Sequence, residues 1–290
     1  MMLTVAALAR AEISIVDDAN NRITLEEPAR RIVAVSPHLA ELVYAAGAGE
    51  RLIATVRGAD YPPDVLTLPV VGDAAGLDFE RIRQLEPDLI LAWGSGNKVA
   101  DINYLTAAGV PVFIMEPRTV SDIPRHLRLV AKLAGTADAA DEAATRFERD
   151  LQQLQTRYSG ASVVSVIVEI WHQPVFTVGA THPVSNALQI CGARNALDDY
   201  PLLAGPVPLE NVFMADADVI VSLTGMKEPD ARAQWNRHLP TTTGRPLRVI
   251  SLEPDLLTRP GPRMLAGVEL LCQRIAQSRE QLRGDNRTTR

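Results

Sequence analysis

The sequence lacks the features of a nucleic-acid-binding or membrane-spanning protein. Its 290 residues carry 35 acidic and 29 basic side chains, for a net charge of −6, whereas a surface that neutralises phosphates needs a basic excess. No stretch approaches the roughly 18 apolar residues of a membrane-spanning helix. An apolar fraction of 47% and a charged fraction of 22% are ordinary for a soluble globular chain. We therefore expect no nucleic-acid partner.

The sequence also lacks the motifs of common nucleotide-binding and hydrolytic enzymes. No strand is followed by G-x-x-x-x-G-K-[ST], or by G-x-G-x-x-G with an acidic residue about 20 positions later. There is no G-x-S-x-G serine elbow, and the 5 histidines do not show the spacing of metal ligands. We therefore expect no enzyme, no catalytic cofactor and no directly held metal ion.

Cysteine is scarce, with only Cys191 and Cys272, both in apolar helical patterns. Two separate buried thiols is one interpretation, and a disulfide is favoured if the chain is exported. Export bears on residues 1–11, which end in the A-x-A pattern that signal peptidase cleaves but show no basic segment before it. We expect these residues to be the remnant of a secretory signal that starts upstream, with a mature periplasmic chain from about Glu12. A frayed N-terminus is the alternative.

Short apolar runs bounded by turn residues alternate with helical patterns along the chain. Strands that are apolar on both faces and alternate with amphipathic helices are typical of parallel sheets covered by helices. The predicted strands are 32–36, 52–56, 88–93, 111–116, 163–170, 218–223 and 247–252. Because 290 residues suit two domains, the predicted fold class is α/β with two Rossmann-like lobes.

Residues 121–160 separate two groups of strands and carry no strand signal. Apolar residues recur there at helical spacing, which predicts a long connecting backbone helix, with 138–158 as its most regular part. The N-terminal lobe then covers 30–120 and the C-terminal lobe 161–282. We expect the polar end, 283–290, to be a disordered tail.

The two lobes share a sequence unit that recurs 130 residues later. The segment 79-FERIRQLEPDLILAWGSG-96 aligns with 209-LENVFMADADVIVSLTG-225, which pairs Glu80 with Glu210 and Asp88 with Asp218. A glutamate in the first turn of a helix is explained by the helix dipole alone. Its recurrence in both lobes also suits docking onto a symmetric partner that presents a basic group from each subunit.

The few aromatic residues, 4% of the chain, cluster after predicted strands, where ligands of open α/β sheets bind. Tyr61, Trp93 and Trp171 all follow predicted strands. His38 also follows one, the strand 32–36, and Phe176 comes shortly after Trp171 in sequence. One such residue alone is often a core side chain, but three flat faces predict a cleft for a large ring system. The turn 94-GSGN-97 would form the lip of that cleft.

With these residues in place, the sequence resembles the substrate-binding proteins of ABC importers whose lobes are joined by a helical backbone, the class III periplasmic binding proteins. This class binds cobalamin, haem and ferric siderophores, and the resemblance is closest to its cobalamin-binding members. It extends from about residue 31 to residue 272. The segments that carry it are 31-RIVAVSPHLAELVYAAGAGERLIATV-56, 60-DYPP-63, 77-LDFERIRQLEPDLILAWGSGN-97, 175-VFTVG-179, 188-LQICGARNAL-197 and 262-PRMLAGVELLC-272.

The resemblance implies a periplasmic, monomeric protein that captures a corrinoid such as cobalamin between its lobes and delivers it to the transmembrane dimer of an ABC permease. A haem or ferric siderophore is the alternative cargo. The resemblance assigns ligand contacts to Tyr61, Trp93 and Phe176. Trp171 and His38 are further candidate ligand contacts because they follow predicted strands. It assigns permease docking to Glu80 and Glu210, and a disulfide to Cys191 and Cys272.

The sequence departs from the cobalamin-binding pattern at three places. Alanine replaces tryptophan near Ala74 and near Ala204, which leaves fewer flat faces for stacking. His38 stands where the family pattern has a small residue. At the mouth of a cleft, its imidazole would be able to approach the metal of a corrinoid or of haem, or simply line the cleft.

Overall fold

A computed structural model of the chain describes residues 12–238 and 248–288. The predicted signal remnant at residues 1–11 lies outside the described residues. The chain divides into two compact units: unit 1 comprises Met1–Glu116 and Pro124–Thr145, and unit 2 comprises Pro117–Ile123 and Arg146–Arg290. No helix in the described ranges combines the length and the apolar character needed to cross a membrane.

The described residues form short strands and helices that alternate along most of the chain. The strands are β1 Ile13–Val16, β2 Arg22–Leu25, β3 Ile32–Ala34, β4 Leu52–Thr55, β5 Gly72–Asp73, β6 Gly76–Leu77, β7 Leu89–Trp93, β8 Val112–Met115, β9 Val164–Glu169, β10 Phe176–Val178, β11 Ala193–Asn195, β12 Ala204–Pro206, β13 Val219–Ser222 and β14 Arg248–Ser251. The helices are α1 Pro37–Ala45, α2 Phe79–Gln84, α3 Val99–Ala107, α4 Asp122–Ala134, α5 Ala137–Tyr158, α6 Pro183–Ile190, α7 Leu209–Met214, α8 Glu228–His238, α9 Asp255–Thr258 and α10 Met264–Thr288.

Each unit is built on a parallel four-stranded sheet. The strand order is β4-β3-β7-β8 in unit 1 and β11-β9-β13-β14 in unit 2. The inner strands are buried on both faces, as uninterrupted apolar runs predict. All seven predicted strands are present, so the predicted α/β class with parallel sheets in two units is confirmed. Three short antiparallel pairs, β1-β2, β5-β6 and β10-β12, were not predicted.

The predicted internal repeat is present in the backbone. Helices α2 and α7 and strands β7 and β13 occupy the positions that the 130-residue offset pairs. In the turns between helix and strand, Glu86 has φ 44° and Asp216 has φ 42°. Because residues other than glycine rarely adopt positive φ, the same rare conformation at equivalent positions marks the two turns as one structural unit.

The aspartates that follow these turns make the same backbone contacts in each unit. Asp88 Oδ1 accepts a hydrogen bond from Arg31 N at 2.9 Å, and Asp88 N donates to Arg31 O at 3.1 Å. Asp218 Oδ2 accepts from Ser165 N at 2.9 Å, and Asp218 N donates to Ser165 O at 2.9 Å. Each aspartate thereby fixes the start of one central strand against its neighbour.

The region predicted as a single backbone helix, 121–160, contains two helices. Helix α4 ends at Ala134 and α5 begins at Ala137, with Gly135 between them at φ 65°. A glycine with positive φ is the usual residue just beyond a helix end, so this glycine is the signal for the break. The prediction of one connecting helix over 121–160 is therefore wrong, whereas its predicted most regular part, 138–158, matches α5.

The predicted disordered tail is helical as far as the structure describes it. Helix α10 runs to Thr288, so the prediction is wrong for residues 283–288. Side chains of this segment bond to unit 2: Arg283 Nη2 donates to Ser162 Oγ at 2.9 Å, and Asp285 Oδ2 accepts from Arg248 Nη2 at 2.7 Å. These contacts offset the entropy lost on ordering a polar segment.

The two cysteines form a disulfide, as the resemblance implied. Cys191 follows the last residue of α6, Cys272 lies in α10, and both are fully buried. Their Cα atoms are 4.6 Å apart and 81 residues separate them in sequence. The bond therefore joins the helix beside β11 to the C-terminal helix of the same unit.

Candidate functional site

Several loops of unit 1 follow the carboxyl ends of its parallel strands, and these ends meet at one edge of the sheet. The segment 36–38 follows β3, the loop containing Tyr61 follows β4, the turn 94–97 follows β7, and Glu116 follows β8. Open α/β sheets bind ligands at this edge. The structure thus places the predicted ligand residues of this unit, Tyr61, Trp93 and His38, at or just beyond the carboxyl ends of its strands.

Trp93 is the last residue of β7, and the turn behind it is built around its indole. Asn97 Oδ1 accepts a hydrogen bond from Trp93 N at 2.7 Å, while Asn97 Nδ2 donates to Val35 O at 2.8 Å. A Cβ atom at Gly96 would lie 1.9 Å from the Trp93 ring, which only glycine avoids. Gly96 therefore makes room for the protein's own indole, and the turn holds that ring in place.

His38 supports Trp93 from inside the protein. It lies in the first turn of α1, is 1% exposed, and its Nδ1 is 3.0 Å from Ser36 Oγ. Its ring meets the Trp93 ring edge-on, with centroids 4.9 Å apart and planes at 84°. The prediction that His38 stands at the mouth of a cleft is wrong, because the start of α1 turns its side chain into the core.

Two groups on this edge remain suited to a ligand. Trp93 Nε1 is a buried donor that has no hydrogen-bond partner among residues 12–238 and 248–288. A buried indole N–H usually has a partner, so Trp93 Nε1 is an exception among the described residues. Tyr61, in the loop after β4, is 45% exposed.

In unit 2, Trp171 and Phe176 lie together beyond β9. Trp171 pairs with Phe176 in an isolated antiparallel bridge, in which Phe176 N donates a hydrogen bond to Trp171 O at 2.8 Å. Residues directly opposite each other in such a bridge place their side chains on the same face. Trp171 is 62% exposed, and its Nε1 donates to Gln173 O at 3.1 Å. The structure therefore places two of the predicted ligand residues on the same side of this bridge, with Trp171 exposed and Phe176 half-buried.

A buried polar network next to this face was not predicted from the sequence. Glu169 is fully buried, with Oε1 2.6 Å from His172 Nδ1 and Oε2 accepting from Trp235 Nε1 at 3.0 Å. The His172 and Trp235 rings meet edge-on at 5.8 Å, and the His238 ring lies 5.7 Å from that of His172. The spacing of Glu169 and His172 is visible in the sequence, but their contact with Trp235 arises only from the fold.

His182 has a structural role at the start of α6. Its Nδ1 accepts a hydrogen bond from Val184 N at 3.1 Å, which caps the helix. Burial disfavours the charged imidazolium, and the nearby positive charge of Arg118 adds to this effect, so the pKa of His182 is lowered to about 4. The side chain is therefore neutral, and able to accept this bond, at neutral pH.

The two predicted docking glutamates lie in the first turns of equivalent short helices, but their surroundings differ. Glu80 in α2 is 70% exposed and pairs with Arg83 Nη2 at 3.3 Å. Glu210 in α7 is exposed and forms no ion pair with the described residues. Three and four positions after Glu210 come Phe213 and Met214, which are 36% and 82% exposed. The spacing places all three on one face of α7.

Beside Glu80 lies a groove of about 360 Å³ in unit 1. Phe79 and Tyr104 line it with their rings 4.2 Å apart, together with Ile82 and Leu105. Tyr104 is 56% exposed. An acidic side chain therefore borders exposed apolar surface in both units. In unit 1 this surface is the groove beside α2, and in unit 2 it is the exposed Met214 on α7.

Within the described ranges, no group of three or more His, Cys, Asp or Glu side chains is arranged to hold a metal ion. A family model described as periplasmic binding protein matches residues 32–237 of the chain. The chain belongs to this family. Its fold, with a parallel sheet in each of two α/β units, is that of the class III members expected from the resemblance.

Curated relatives in this family carry a more specific name. The Vitamin B12-binding protein of Pectobacterium carotovorum is 32% identical over 250 residues, covering 85% of this chain and 88% of that protein. The Vitamin B12-binding protein of Vibrio parahaemolyticus is 30% identical over 248 residues, covering 85% of this chain and 90% of that protein.

Solved structures show the same fold in proteins with different cargo. The periplasmic Vitamin B12 binding protein BtuF of Vibrio cholerae has a TM-score of 0.78 at 28% identity, covering 87% of this chain and 98% of that one. The periplasmic heme-binding protein BhuT, in complex with two hemes, has a TM-score of 0.74 at 24% identity and covers 87% and 100%. The second likeness shows the fold alone.

Proposed function

We propose that the protein is a periplasmic binding protein that captures a corrinoid, with cobalamin as the expected cargo, and delivers it to an ABC permease without catalysing a reaction. The observation that carries this proposal is the set of aromatic side chains at the carboxyl ends of the strands in each unit, in a chain whose curated relatives are named for vitamin B12. Haem or a ferric siderophore is the alternative cargo on the same fold.

The chemistry of these side chains suits a macrocycle. A corrin ring is broad and largely apolar, with amide groups around its rim, so it needs flat apolar contacts together with a few hydrogen-bonding groups. Trp171 and Phe176 provide an exposed aromatic face, and Tyr61 provides another with a hydroxyl. Trp93 Nε1, which has no hydrogen-bond partner among the described residues, is a donor suited to an amide oxygen. These groups bind and orient a ligand, and none of them forms a nucleophile and base pair.

The departures from the cobalamin-binding pattern are exposed positions. Ala74 and Ala204, near which the pattern has tryptophans, are both exposed in the structure. The smaller side chains provide less stacking surface, so the affinity for cobalamin depends more heavily on Trp171 and Trp93.

Delivery requires a surface for the permease, and we assign it to α2 and α7. Each helix exposes one glutamate at the same position of the repeat, which suits a permease dimer that offers a basic side chain from each subunit. At α7 the exposed Met214 and Phe213 add apolar contact beside Glu210. At α2 the permease side chain would displace Arg83 from Glu80 and lie next to the Phe79–Tyr104 groove.

A periplasmic location fits both the family and the covalent structure. Disulfides form and persist in the oxidising periplasm, and the Cys191–Cys272 bond is fully buried in unit 2. A signal remnant in residues 1–11 and a monomeric state are parts of the proposal that purification of the exported protein would test, by sequencing its N-terminus and measuring its mass in solution.

Spectral titration of the purified protein with cyanocobalamin and with haemin tests the proposed cargo. We expect saturable binding of cyanocobalamin at micromolar concentration or tighter, weakened at least tenfold by Trp171→Ala. The matched control is Tyr104→Ala, which removes an exposed aromatic ring from the docking groove and should leave the affinity unchanged. Absence of cyanocobalamin binding by the unaltered protein would overturn the proposal, and binding of haemin alone would favour the alternative.

A further inference from the structure

The side chain of Glu116, which directly follows β8, holds the middle of the turn 94–97. Its Oε2 accepts a hydrogen bond from Ser95 N at 2.6 Å, and Gly94 N donates to Met115 O at 3.0 Å. Hydrogen bonds to a charged acceptor are shorter and stronger than those between neutral groups. The turn is thereby attached to the end of β8 at two consecutive residues.

The two glycines of this turn make room for two different groups. A Cβ atom at Gly94 would lie 2.8 Å from Glu116 Oε2, whereas one at Gly96 would lie 1.9 Å from the Trp93 ring. Both distances are shorter than a side chain tolerates. The backbone of the turn therefore approaches a carboxylate at its start and an indole at its end, and each approach depends on a glycine.

The position of the turn also determines the position of Trp93. Trp93 N donates to Asn97 Oδ1 at 2.7 Å, and Trp93 O accepts from Asn97 N at 2.9 Å, so the two ends of the turn are bonded to each other. Gly96 packs against the indole between these ends. A shift of the backbone at Ser95 would therefore displace groups that hold the ring.

The backbone of Glu116 is itself fixed by Asp18. Asp18 Oδ2 accepts from Glu116 N at 2.7 Å, and Asp18 N donates to Ile114 O at 3.0 Å. On α4, Arg125 Nη1 donates to Asp18 Oδ1 at 2.8 Å, and Nε2 of the fully buried His126 lies 2.7 Å from Asp18 Oδ2. Burial alone would raise the pKa of Asp18, but the hydrogen bonds from these partners outweigh it and hold that pKa well below its usual range. A charged aspartate thus anchors the end of β8 to α4 at neutral pH.

We propose that Glu116 is a positioning residue for cargo binding, which holds the turn 94–97, and with it the side chain of Trp93, in the conformation that binds the ring. This inference rests on the proposed function, in which Trp93 is a ligand contact. It adds a residue that acts on the cargo through the turn. A turn that is already ordered in the free protein costs less entropy when the cargo binds.

The opposite end of β7 provides a comparison within the same unit. There Asp88 Oδ2 accepts from Arg30 N at 2.7 Å, and Asp88 Oδ1 accepts from Arg31 N at 2.9 Å. Asp88 and Glu116 are thus both carboxylates that bond to backbone N–H groups beside this strand. Only Glu116 does so at the carboxyl end, the edge at which open α/β sheets bind ligands.

Two substitutions of Glu116 separate the hydrogen bond from the charge. Glu116→Ala removes the acceptor for Ser95 N, whereas Glu116→Gln keeps an oxygen in the same place. We expect Glu116→Ala to weaken cyanocobalamin binding about tenfold and Glu116→Gln to stay within about threefold of the unaltered protein. Calorimetric titration would measure both the affinity and the binding entropy, which should become less favourable in Glu116→Ala because the turn is then ordered only on binding.

Hydrogen exchange at the Ser95 amide measures the contact in the absence of cargo. We expect this amide to exchange about tenfold faster in Glu116→Ala than in the unaltered protein, because the bond that protects it is lost. In Glu116→Gln its exchange should stay close to that of the unaltered protein. Nuclear magnetic resonance resolves the single amide.

Gly94→Ala tests the same contact from the side of the turn. The added methyl group would displace the Glu116 carboxylate, which is the flexible end of a side chain, so the bond to Ser95 N is what the variant loses. We expect binding about fivefold weaker in Gly94→Ala and little further loss when Gly94→Ala is combined with Glu116→Ala, since residues in contact are not additive. If Glu116→Ala does not fold, Gly94→Ala alone tests the contact.

Asp88→Ala is the matched control for a loss of stability. It removes a carboxylate that bonds to backbone at the other end of β7, so we expect a lower urea midpoint. The affinity of the folded protein for cyanocobalamin should stay within about twofold, because this end of the strand carries no proposed ligand contact.

The outcomes separate this inference from the proposed function. Unchanged affinity in both Glu116→Ala and Gly94→Ala would overturn the positioning role and leave the function intact. An equal loss of affinity in Asp88→Ala, or a loss in Glu116→Gln as large as that in Glu116→Ala, would also overturn it. Failure of the unaltered protein to bind cyanocobalamin would contradict the proposed function, and the positioning role would fall with it even if the exchange at Ser95 responds as expected.

Discussion

At the scale of single residues, the surroundings of Trp93, a proposed ligand contact, hold its indole in place. His38 meets one edge of the ring, Gly96 lies against it, and Asn97 fixes the backbone on either side of the turn. The ring is thus held in one orientation before any cargo arrives. Such preorganisation reduces the entropy that binding costs.

Gly96→Ala should displace this ring. The added methyl group would lie within the van der Waals surface of the indole, and overpacking of this kind costs about 1 to 3 kcal/mol of folding stability. We expect a corresponding fall in the urea midpoint and weaker cyanocobalamin binding, measured by fluorescence titration. Ser95→Ala in the same turn is the control, and equal affinity in both variants would contradict the role assigned to Gly96.

His182 predicts a pH dependence of folding stability. Its pKa is lowered from 6.5 to about 4 in the folded protein, so between these values the unfolded chain binds a proton that the folded chain does not. The free energy of unfolding should therefore be unaffected by this group above pH 6.5 and fall as the pH drops towards 4, by about 3 kcal/mol.

Urea unfolding across pH 4 to 7.5 would measure this dependence. His182→Asn retains a side chain suited to capping α6 but does not titrate, so its stability should fall less steeply over the same range. Parallel pH profiles for the unaltered protein and the variant would show that His182 does not cause the decline.

The sequence predicted some of these residue environments and not others. Trp171 follows a long apolar strand, and the prediction that it lies on a loop of the ligand edge followed from that pattern. His38 was misplaced because the start of α1 at Pro37 decides which way its side chain turns. The partner of Glu169 and His172 is Trp235, whose place beside them depends on the packing of α8 and has no local sequence signal.

At the scale of secondary-structure elements, unit 2 depends on a covalent link between α6 and α10. By loop-entropy arguments, a disulfide that closes a loop of 81 residues contributes up to about 4 kcal/mol to stability. We expect the Cys191→Ala/Cys272→Ala variant to lose 2 to about 4 kcal/mol in urea unfolding. A reducing agent should lower the midpoint of the unaltered protein and leave that of the variant unchanged.

Elements with a strong local pattern were predictable, whereas short elements were not. Seven of the eight strands in the two parallel sheets lie in the apolar runs that predicted them, whereas the short β11 was not predicted. Strands β10 and β12 have 3 residues each and pair antiparallel across the intervening helix α6, so their partners are fixed by the fold and not by local sequence. The ordered end of α10 likewise depends on contacts outside the segment, whereas the break between α4 and α5 has a local signal in Gly135.

At the scale of the whole molecule, binding and delivery are assigned to different surfaces. The proposed cargo residues follow the strands, while Glu80 and Glu210 lie in the first turns of the short helices of the repeat. Glu80→Arg/Glu210→Arg should therefore abolish corrinoid uptake by cells that depend on this protein, because two attractive contacts become repulsive. The affinity for cyanocobalamin in solution should stay within twofold.

The matched control for this variant is Glu50→Arg/Glu269→Arg, which makes the same change of charge at two other exposed glutamates, one in each unit. Its uptake should be normal. Full uptake by Glu80→Arg/Glu210→Arg would contradict the docking role, and loss of uptake in both variants would attribute the effect to net charge.

The central claim is that this chain selects a corrinoid, and a single competition measures it most directly. The purified protein is mixed with equimolar cyanocobalamin and haemin at micromolar concentration, and the absorbance that co-elutes with it is recorded after gel filtration. The account predicts that about one cyanocobalamin per chain co-elutes and that little haemin does. Co-elution of haemin in place of cyanocobalamin, or of neither compound, would contradict it.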